Sequence, residues 1–306
     1  MKILVTGATG FLGSALAEKL LAEGCCVVGV ARREYGFLSK SVFENSRFQL
    51  VQMDLTKFDE AKLSHFVFDA VVHLAADQAS SPPLSWNDYV RGNIDATRSL
   101  IAYVKGNKIK QLILSSTFSV FGKPFCTDTI NELTPPVPAT YYGLSKFVAE
   151  RIIEIELASS STKGVIIRFP SIFGKNHLGG IVYTFHKLAK ENKPIDIYSR
   201  GERYRNLLYI DDAVNVIIQC LRYSNELNPY EVFSAGSRDS RRMIEIALMI
   251  RDGINSKSEI VPVNKFPPSD WDVFIDTTKL NDVLGVKTMT IQEGINLYLG
   301  ALNNEI

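Results

Sequence analysis

The sequence predicts an α/β chain, a doubly wound parallel sheet with a smaller C-terminal α/β lobe, and three observations predict it. Apolar runs of strand length alternate with helix-periodic segments through the first 170 residues, which is the pattern of βαβ units. The chain opens on an apolar strand that breaks into a glycine turn and then a helix. After Pro170 the pattern loosens, with more Gly, Pro and polar residues and shorter helical segments.

In order, the strands read as Lys2 to Thr6, Cys26 to Ala31, Phe48 to Met53, Ala70 to Leu74, Gln111 to Ser116 and Val165 to Phe169. Between the first two, Leu12, Leu16 and Leu20 recur every four residues with Ala15 beside them, giving one apolar helix face. Gly24 stops that helix. Asp88 to Lys105 and Tyr142 to Ala158 read as long helices. Beyond Pro170, Ile195 to Tyr198, Glu231 to Ser234 and Glu259 to Val263 read as isolated strands, and Asp211 to Tyr223 as a helix that returns to the first domain. The expected division is a Rossmann-type nucleotide-binding domain over 1–170 and a substrate-binding lobe over 171–306.

Composition narrows the function. Apolar residues make up 46% and charged residues 22%, so a folded core is expected rather than disorder. Lysine plus arginine (34) nearly cancel aspartate plus glutamate (33), which argues against nucleic acid or an anionic membrane as partner. Cys25, Cys26, Cys126 and Cys220 form no C-x-x-C pair, as suits thiols of a reducing compartment and argues against a structural metal. The opening MKILVTGATG lacks the apolar core of a signal peptide, and no run approaches the roughly 20 apolar residues of a membrane span. A cytoplasmic protein is the expectation.

The run Lys2-Ile-Leu-Val-Thr-Gly7-Ala-Thr-Gly10-Phe11-Leu12-Gly13 is a strand, a turn and a helix start. Glycines there let backbone N–H groups approach a diphosphate, whose charge is favoured at a helix N-terminus. NAD and NADP both carry one. At the end of the second strand, where a carboxylate normally accepts from the ribose hydroxyls of NAD, stands Ala31 followed by Arg32 and Arg33. Guanidinium forks suit a 2′-phosphate, so this detail favours NADP. Downstream, Tyr142 and Lys146 are four residues apart, one turn apart on one helix face. A phenol used near neutral pH needs its pKa lowered by about three units, about 4 kcal/mol, and a nearby ammonium supplies part of that.

The spacing G-x-x-G-x-x-G in TGATGFLG resembles the extended branch of the short-chain dehydrogenase/reductase family, the NAD-dependent epimerases and dehydratases that modify nucleotide sugars. The resemblance implies roles residue by residue. The cofactor would be held by the turn Gly7, Gly10, Phe11, Leu12, Gly13, by Asp54 and Leu55, by the rim Leu74, Ala75, Ala76, by Asn93, and by Tyr142, Lys146 and Pro170, with Arg32 and Arg33 at the adenosine end. Tyr142 would be the acid/base and Lys146 its partner. Thr117, counted back from Gly122, would orient the reacting hydroxyl or ketone and bind substrate, with Ser116 as the alternative one residue away. Arg205, in Gly201-Glu-Arg-Tyr-Arg205-Asn-Leu-Leu-Tyr209, would meet a sugar nucleotide's diphosphate.

Three departures bear on the reaction. Ser171 stands where the family often has asparagine, and Phe266-Pro-Pro-Ser-Asp270 lacks a second phosphate-binding arginine, for which Lys265 is a substitute point charge. Phe118-Ser119 follows Thr117 where sugar 4,6-dehydratases carry Asp-Glu, and neither side chain exchanges protons as carboxylates do, which disfavours dehydration. Epimerisation at C4 of an NDP-hexose through a keto intermediate is the resulting expectation. An NADPH-dependent reductase of an NDP-4-keto-6-deoxysugar is the alternative, and a non-catalytic dinucleotide sensor or structural subunit a third. The two long helices resemble the pair through which relatives form a homodimer.

Overall fold

The computed structural model describes residues 1–34, 36–78, 84–122, 129–265 and 271–303; Cys126 and the run Phe266 to Asp270 lie outside them. Seven strands form one sheet: β1 (Lys2–Thr6), β2 (Cys26–Ala31), β3 (Phe48–Gln52), β4 (Ala70–His73), β5 (Gln111–Thr117), β6 (Lys163–Phe169) and β7 (Tyr230–Ser234), in the spatial order β7-β6-β5-β4-β1-β2-β3. β1 lies between β2 and β4 and runs parallel to both, Ile3 facing Val27 on one side and Ala70 on the other. The strand order therefore reverses at β1 and β4, and the carboxyl ends of strands at such a reversal are where open α/β sheets bind ligands.

The six strands expected over the first 170 residues are all in this sheet. The seventh corrects the sequence reading, which takes Glu231 to Ser234 as an isolated strand of the lobe. It is the edge strand beside β6: the Gly164 N–H donates to the Pro229 carbonyl at 2.9 Å and Lys163 Nζ to the Leu227 carbonyl at 2.6 Å. Periodicity assigns a strand its faces but not its sheet, so contacts made over more than 60 residues had no local signature.

The described residues fall into two units. The first comprises Met1–Gly122, Pro136–Arg168 and Val214–Phe233. Its core joins sheet residues such as Leu4, Val71, Leu112 and Ile166 to Leu100 and Val104 of α2 (Ala96–Gly106) and Ile153 of α3 (Tyr141–Leu157), all with no exposed surface. Strands covered on both faces read as continuous apolar runs for this reason, and each fully buried Leu or Ile gains about 1.5–3 kcal/mol over an exposed one. Gln111 Nε2 donates to the Cys220 carbonyl at 2.9 Å and Arg222 pairs with Glu23 at 2.8 Å, which ties the end of the helix Ile210–Arg222 to this unit.

α2 continues a longer helical run that begins at Trp86, two residues before the expected Asp88. Ser85 caps it reciprocally with Asp88, each side chain accepting from the other's backbone N–H, at 3.2 and 3.0 Å. Val90–Asp95 form a π-helical turn in the middle of the run. Such turns insert a residue into the helical ladder and re-aim side chains, often at functional sites.

The second unit takes in Phe169–Ala213 with the described parts of 123–135 and 234–306. It holds three two-stranded ribbons, Ser171–Phe173 with Leu207–Tyr209, Ile195–Ile197 with Ile260–Pro262, and Tyr204–Arg205 with Arg241–Arg242. Among the described residues no helix is long and apolar enough to cross a membrane.

Candidate active site

β1 ends in Thr6 and turns at Gly7, whose φ of +70° is the left-handed region open to glycine. A Cβ on Gly7 would also come within 2.8 Å of the Ala75 backbone nitrogen. Gly10 N–H donates to the Gly7 carbonyl at 2.9 Å and sits at the N-cap of α1 (Phe11–Ala22), so that helix starts directly from the turn. Gly13 lies below it, where a Cβ would fall 2.1 Å from the Gly7 oxygen. The turn is a cradle that side chains would fill, which fits a diphosphate approaching backbone.

Gly7, Gly10, Arg32, Arg33, Asp54, Leu55, Leu74, Ala75 and Ala76, nine of the residues expected at a dinucleotide, line one cavity of about 420 Å³. That volume suits a bound organic cofactor. Thr9, Gly36, Phe37, Met53, Asp77 and Gly92 line it as well and were not singled out from sequence. Phe37 N–H donates to the Thr9 carbonyl at 2.9 Å, and its ring meets that of Phe11 edge-on at 6.3 Å. Glycines 36 and 92 were the available signal, since each lets backbone pack where a Cβ would clash.

A chain of hydrogen bonds runs inward from this rim. Ala75 N–H donates to Thr6 Oγ1 at 3.2 Å, Thr6 Oγ1 lies 2.7 Å from His73 Nδ1, His73 Nε2 lies 3.1 Å from Thr97 Oγ1, and Thr97 donates to the Asn93 carbonyl at 2.6 Å. Because Thr97 spends its proton on Asn93, His73 donates to it from Nε2, and a neutral ring then leaves Nδ1 to accept from Thr6. The ring is neutral because burial together with the Lys146 charge pushes the His73 pKa down to about 3. Asn93, on the π-helical turn, accepts from Asp77 N–H at 2.7 Å and donates both to the Asp77 carbonyl at 3.0 Å and to Ser145 Oγ at 2.9 Å. One side chain thus joins the cavity rim to α3.

α3 carries Tyr142 and Lys146. Thr140 caps it, its Oγ1 accepting from Gly143 N–H at 3.0 Å. Glycine at 143 lets the helix press onto the turn after β5, where a Cβ would lie 2.1 Å from the Ser119 carbonyl oxygen. This approach brings Thr117, the last residue of β5, close enough to the Tyr142 side chain to act on its pKa. Thr117 Oγ1 also accepts from Ser119 N–H at 3.1 Å and donates to Ser119 Oγ at 3.2 Å. Ser116, one residue back along the strand, has its hydroxyl on the buried Glu150 carboxylate, so the two candidate hydroxyls have different partners.

Burial pushes the Tyr142 phenol above its ordinary value; the Thr117 hydroxyl opposes that, and neighbouring Tyr89, its ring 6.1 Å away, adds to it. Lys146 is 3% exposed, and burial brings its pKa down to about 8 against the opposing pull of the Glu150 carboxylate one turn on. Glu150 is itself held by Arg168 of β6, Nη2 at 2.7 Å and Nε at 3.2 Å. Arg168 Nη1 is buried with no hydrogen-bond partner among the described residues, and the guanidinium lies 5.1 Å from the Phe121 ring centre. Glu150 and Arg168 were missed as site residues because on an isolated helix Glu150 reads as one more charged residue of a solvated face.

Pro170 and Arg205 belong to the second unit. Pro170 follows β6 and is half-buried. Arg205 ends the strand Tyr204–Arg205, with Nη1 donating to the Tyr204 carbonyl at 2.9 Å and the Trp271 carbonyl at 2.6 Å. These bonds fix the root of the guanidinium against backbone.

Along most of its length the chain is similar to known proteins. A family model described as the NAD dependent epimerase/dehydratase family matches residues 3–236. A Bacillus subtilis (strain 168) protein named as an uncharacterized UDP-glucose epimerase, YtcB, is 26% identical, with 99% of this chain and 98% of that one covered. A UDP-glucuronate 4-epimerase of Thermodesulfobacterium geofontis (strain OPF15) is 27% identical over 95% of this chain and 93% of its own length. Among solved structures, a Bacillus cereus UDP-glucuronic acid 4-epimerase in complex with UDP-glucuronic acid and NAD superposes with a TM-score of 0.87 at 26% identity, covering all of both chains.

Proposed function

This chain belongs to the NAD-dependent epimerase/dehydratase family, and from that premise we propose that it is an NAD-dependent nucleotide-sugar epimerase inverting C4 of an NDP-hexose through a keto intermediate. The observation that carries the proposal is the placing of Thr117 beside Tyr142, one helical turn from a buried Lys146, in the same unit as the dinucleotide-sized cavity. Bound NAD supplies the acceptor and donor of hydride at the reacting carbon. Tyr142 removes the proton of the C4 hydroxyl and returns it, Thr117 holds that hydroxyl in line, and Lys146 favours the phenolate by its charge. Arg205 takes the nucleotide's diphosphate, for which a guanidinium fork is suited.

Phe118 and Ser119 support epimerisation over dehydration. Phe118 packs against Phe121, the ring centres 5.3 Å apart, and Ser119 is hydrogen-bonded to Thr117, so the positions that carry an acid and a base in dehydratases hold neither here. NAD is preferred to the NADP suggested by Arg32 and Arg33, because Arg32 is already paired with Asp77 at 3.2 Å and the similar solved enzyme holds NAD.

The test is to incubate pure protein with UDP-hexoses and other nucleotide sugars, without added cofactor, and to follow the anomeric and H4 signals by NMR. Interconversion of a C4 epimer pair is expected. Stoichiometric NADPH consumption with a 4-keto sugar would instead indicate a reductase, and silence in both assays would remove the substrate class. The protein is also proposed to form a homodimer through α2 and α3, where Ile155 and Tyr141 are exposed. Light scattering should give about twice the 34.1 kDa chain mass, and a monomer would refute the pairing.

A further inference from the structure

The nucleotide-binding cleft has no carboxylate at the end of β2, where Ala31 stands, yet it has two in its walls, Asp54 and Asp77, against two arginines, Arg32 and Arg33. One of these four is placed with unusual care. Both backbone groups of Asp77 are held by Asn93, N–H to Oδ1 at 2.7 Å and Nδ2 to the carbonyl at 3.0 Å. Its carboxylate lies against Gly92 of the π-helical turn, so close that a Cβ there would fall 1.9 Å from Oδ2. The other oxygen, Oδ1, accepts from Arg32 Nη2 at 3.2 Å.

The sheet order gives this pair its position. Arg32 follows β2 and Asp77 follows the end of β4, and β1 with its glycine turn lies between those strands. The ion pair therefore reaches across the mouth of the cleft over the end of β1. It is solvated, with the Arg32 side chain 63% exposed, so it adds little to folding. Its consequence is for the ligand, because a guanidinium engaged by a carboxylate has less to offer a second anion.

We propose that Asp77 is the cofactor-selecting residue of this protein: by engaging Arg32 across β1 it withholds one of the two guanidinium groups that could meet a 2′-phosphate and so makes a cleft with Arg-Arg after β2 select NAD over NADP. The inference rests on the NAD reading given above. It assigns to a residue after β4 the discrimination that a carboxylate at the end of β2 normally performs, and it explains why Asn93 and Gly92 converge on Asp77.

The test is equilibrium dialysis of wild type, Asp77→Asn, Arg32→Gln and the double variant against equal concentrations of NAD and NADP, with bound nucleotides quantified after denaturation. Asparagine keeps the backbone bonds to Asn93 and the packing on Gly92 while removing the charge. Wild type should retain mainly NAD, and Asp77→Asn should raise the bound NADP-to-NAD ratio about tenfold, the scale of one charge-assisted phosphate contact in a partly solvated site. In the Arg32→Gln background the same change should move the ratio by less than about twofold. A wild type that retains NADP would remove the NAD reading and this inference with it. A wild type that retains NAD, with a ratio unmoved by Asp77→Asn, would overturn the inference alone. An equal rise in both backgrounds would also overturn it, since Asp77 would then be acting on the phosphate directly and not through Arg32.

Discussion

Replacing Tyr142 with phenylalanine is expected to lower epimerase turnover by about 10²- to 10⁴-fold, the usual scale of a lost general acid–base, with little change in stability or in the nucleotide that copurifies. The phenol lies beside Thr117 at a site that is not fully enclosed, so its loss costs the fold at most about 0.5–1.5 kcal/mol. The ring remains and keeps its place against Tyr89. Only the proton transfer is lost. The measurement is single-turnover NMR with the substrate identified by the panel, alongside the melting temperature and the bound nucleotide of the variant. A Tyr142→Phe protein that turned over within about tenfold of wild type would take Tyr142 out of the chemistry.

This expectation depends on a charge arrangement the phenol cannot supply alone. In the protein without ligand, burial holds Tyr142 above its ordinary pKa, which keeps it a proton donor. To act as a base it needs positive charge close by, and Lys146 is the nearest such group on its own helix. Yet burial pushes Lys146 down to about 8, so the lysine is itself close to losing the proton that makes it useful. What keeps it charged is the next question for the site.

Much of the local machinery is legible in the sequence because it is local. The turn from Gly7 to Gly13 and the four-residue step from Tyr142 to Lys146 are set within one turn or one helical repeat, and pattern finds such features directly. The edge strand β7, the Arg32–Asp77 pair and the His73 hydrogen-bond chain join residues many positions apart in the sequence. Arg32 and Asp77 are separated by 45 positions, and only the placing of β1 between β2 and β4 turns them into neighbours. The preference for NADP read from Arg32 and Arg33 treated a local pair of arginines as a free site, when a carboxylate from another strand end already claims one of them. Likewise Glu150 sits among Arg151, Glu154 and Glu156 in a segment that reads as a solvated face. The burial of Glu150 at 1% exposure follows from how α3 packs on β5 and β6.

Glu150 answers the question about Lys146, and its replacement carries the largest expected effect on stability. Glu150→Gln leaves the Arg168 guanidinium, 6% exposed, without its counter-charge; removing one partner of a buried ion pair costs about 3–5 kcal/mol, enough to lower the melting temperature by about 10 °C in a domain of this size. The Ser116 hydroxyl loses its charged acceptor in the same step. A second effect separates Glu150 from a purely structural residue. Its carboxylate raises the Lys146 pKa against burial, so without it the lysine deprotonates at lower pH than about 8, and the alkaline limb of kcat/KM must move in the acid direction. The double replacement Glu150→Leu with Arg168→Met discriminates the two roles. An apolar pair of similar volume is often neutral or stabilising where a buried ion pair stood, and Phe121, now 5.1 Å from the guanidinium, is already an apolar neighbour. Thermal stability should therefore return most of the way to wild type in the double variant, while the alkaline limb stays shifted because Lys146 still lacks its counter-ion. A pH profile that recovers together with the melting temperature would reduce Glu150 to a packing residue; one that stays displaced in a stable protein makes it the group that keeps Lys146 protonated, and through Lys146 sets the pH range in which Tyr142 can act.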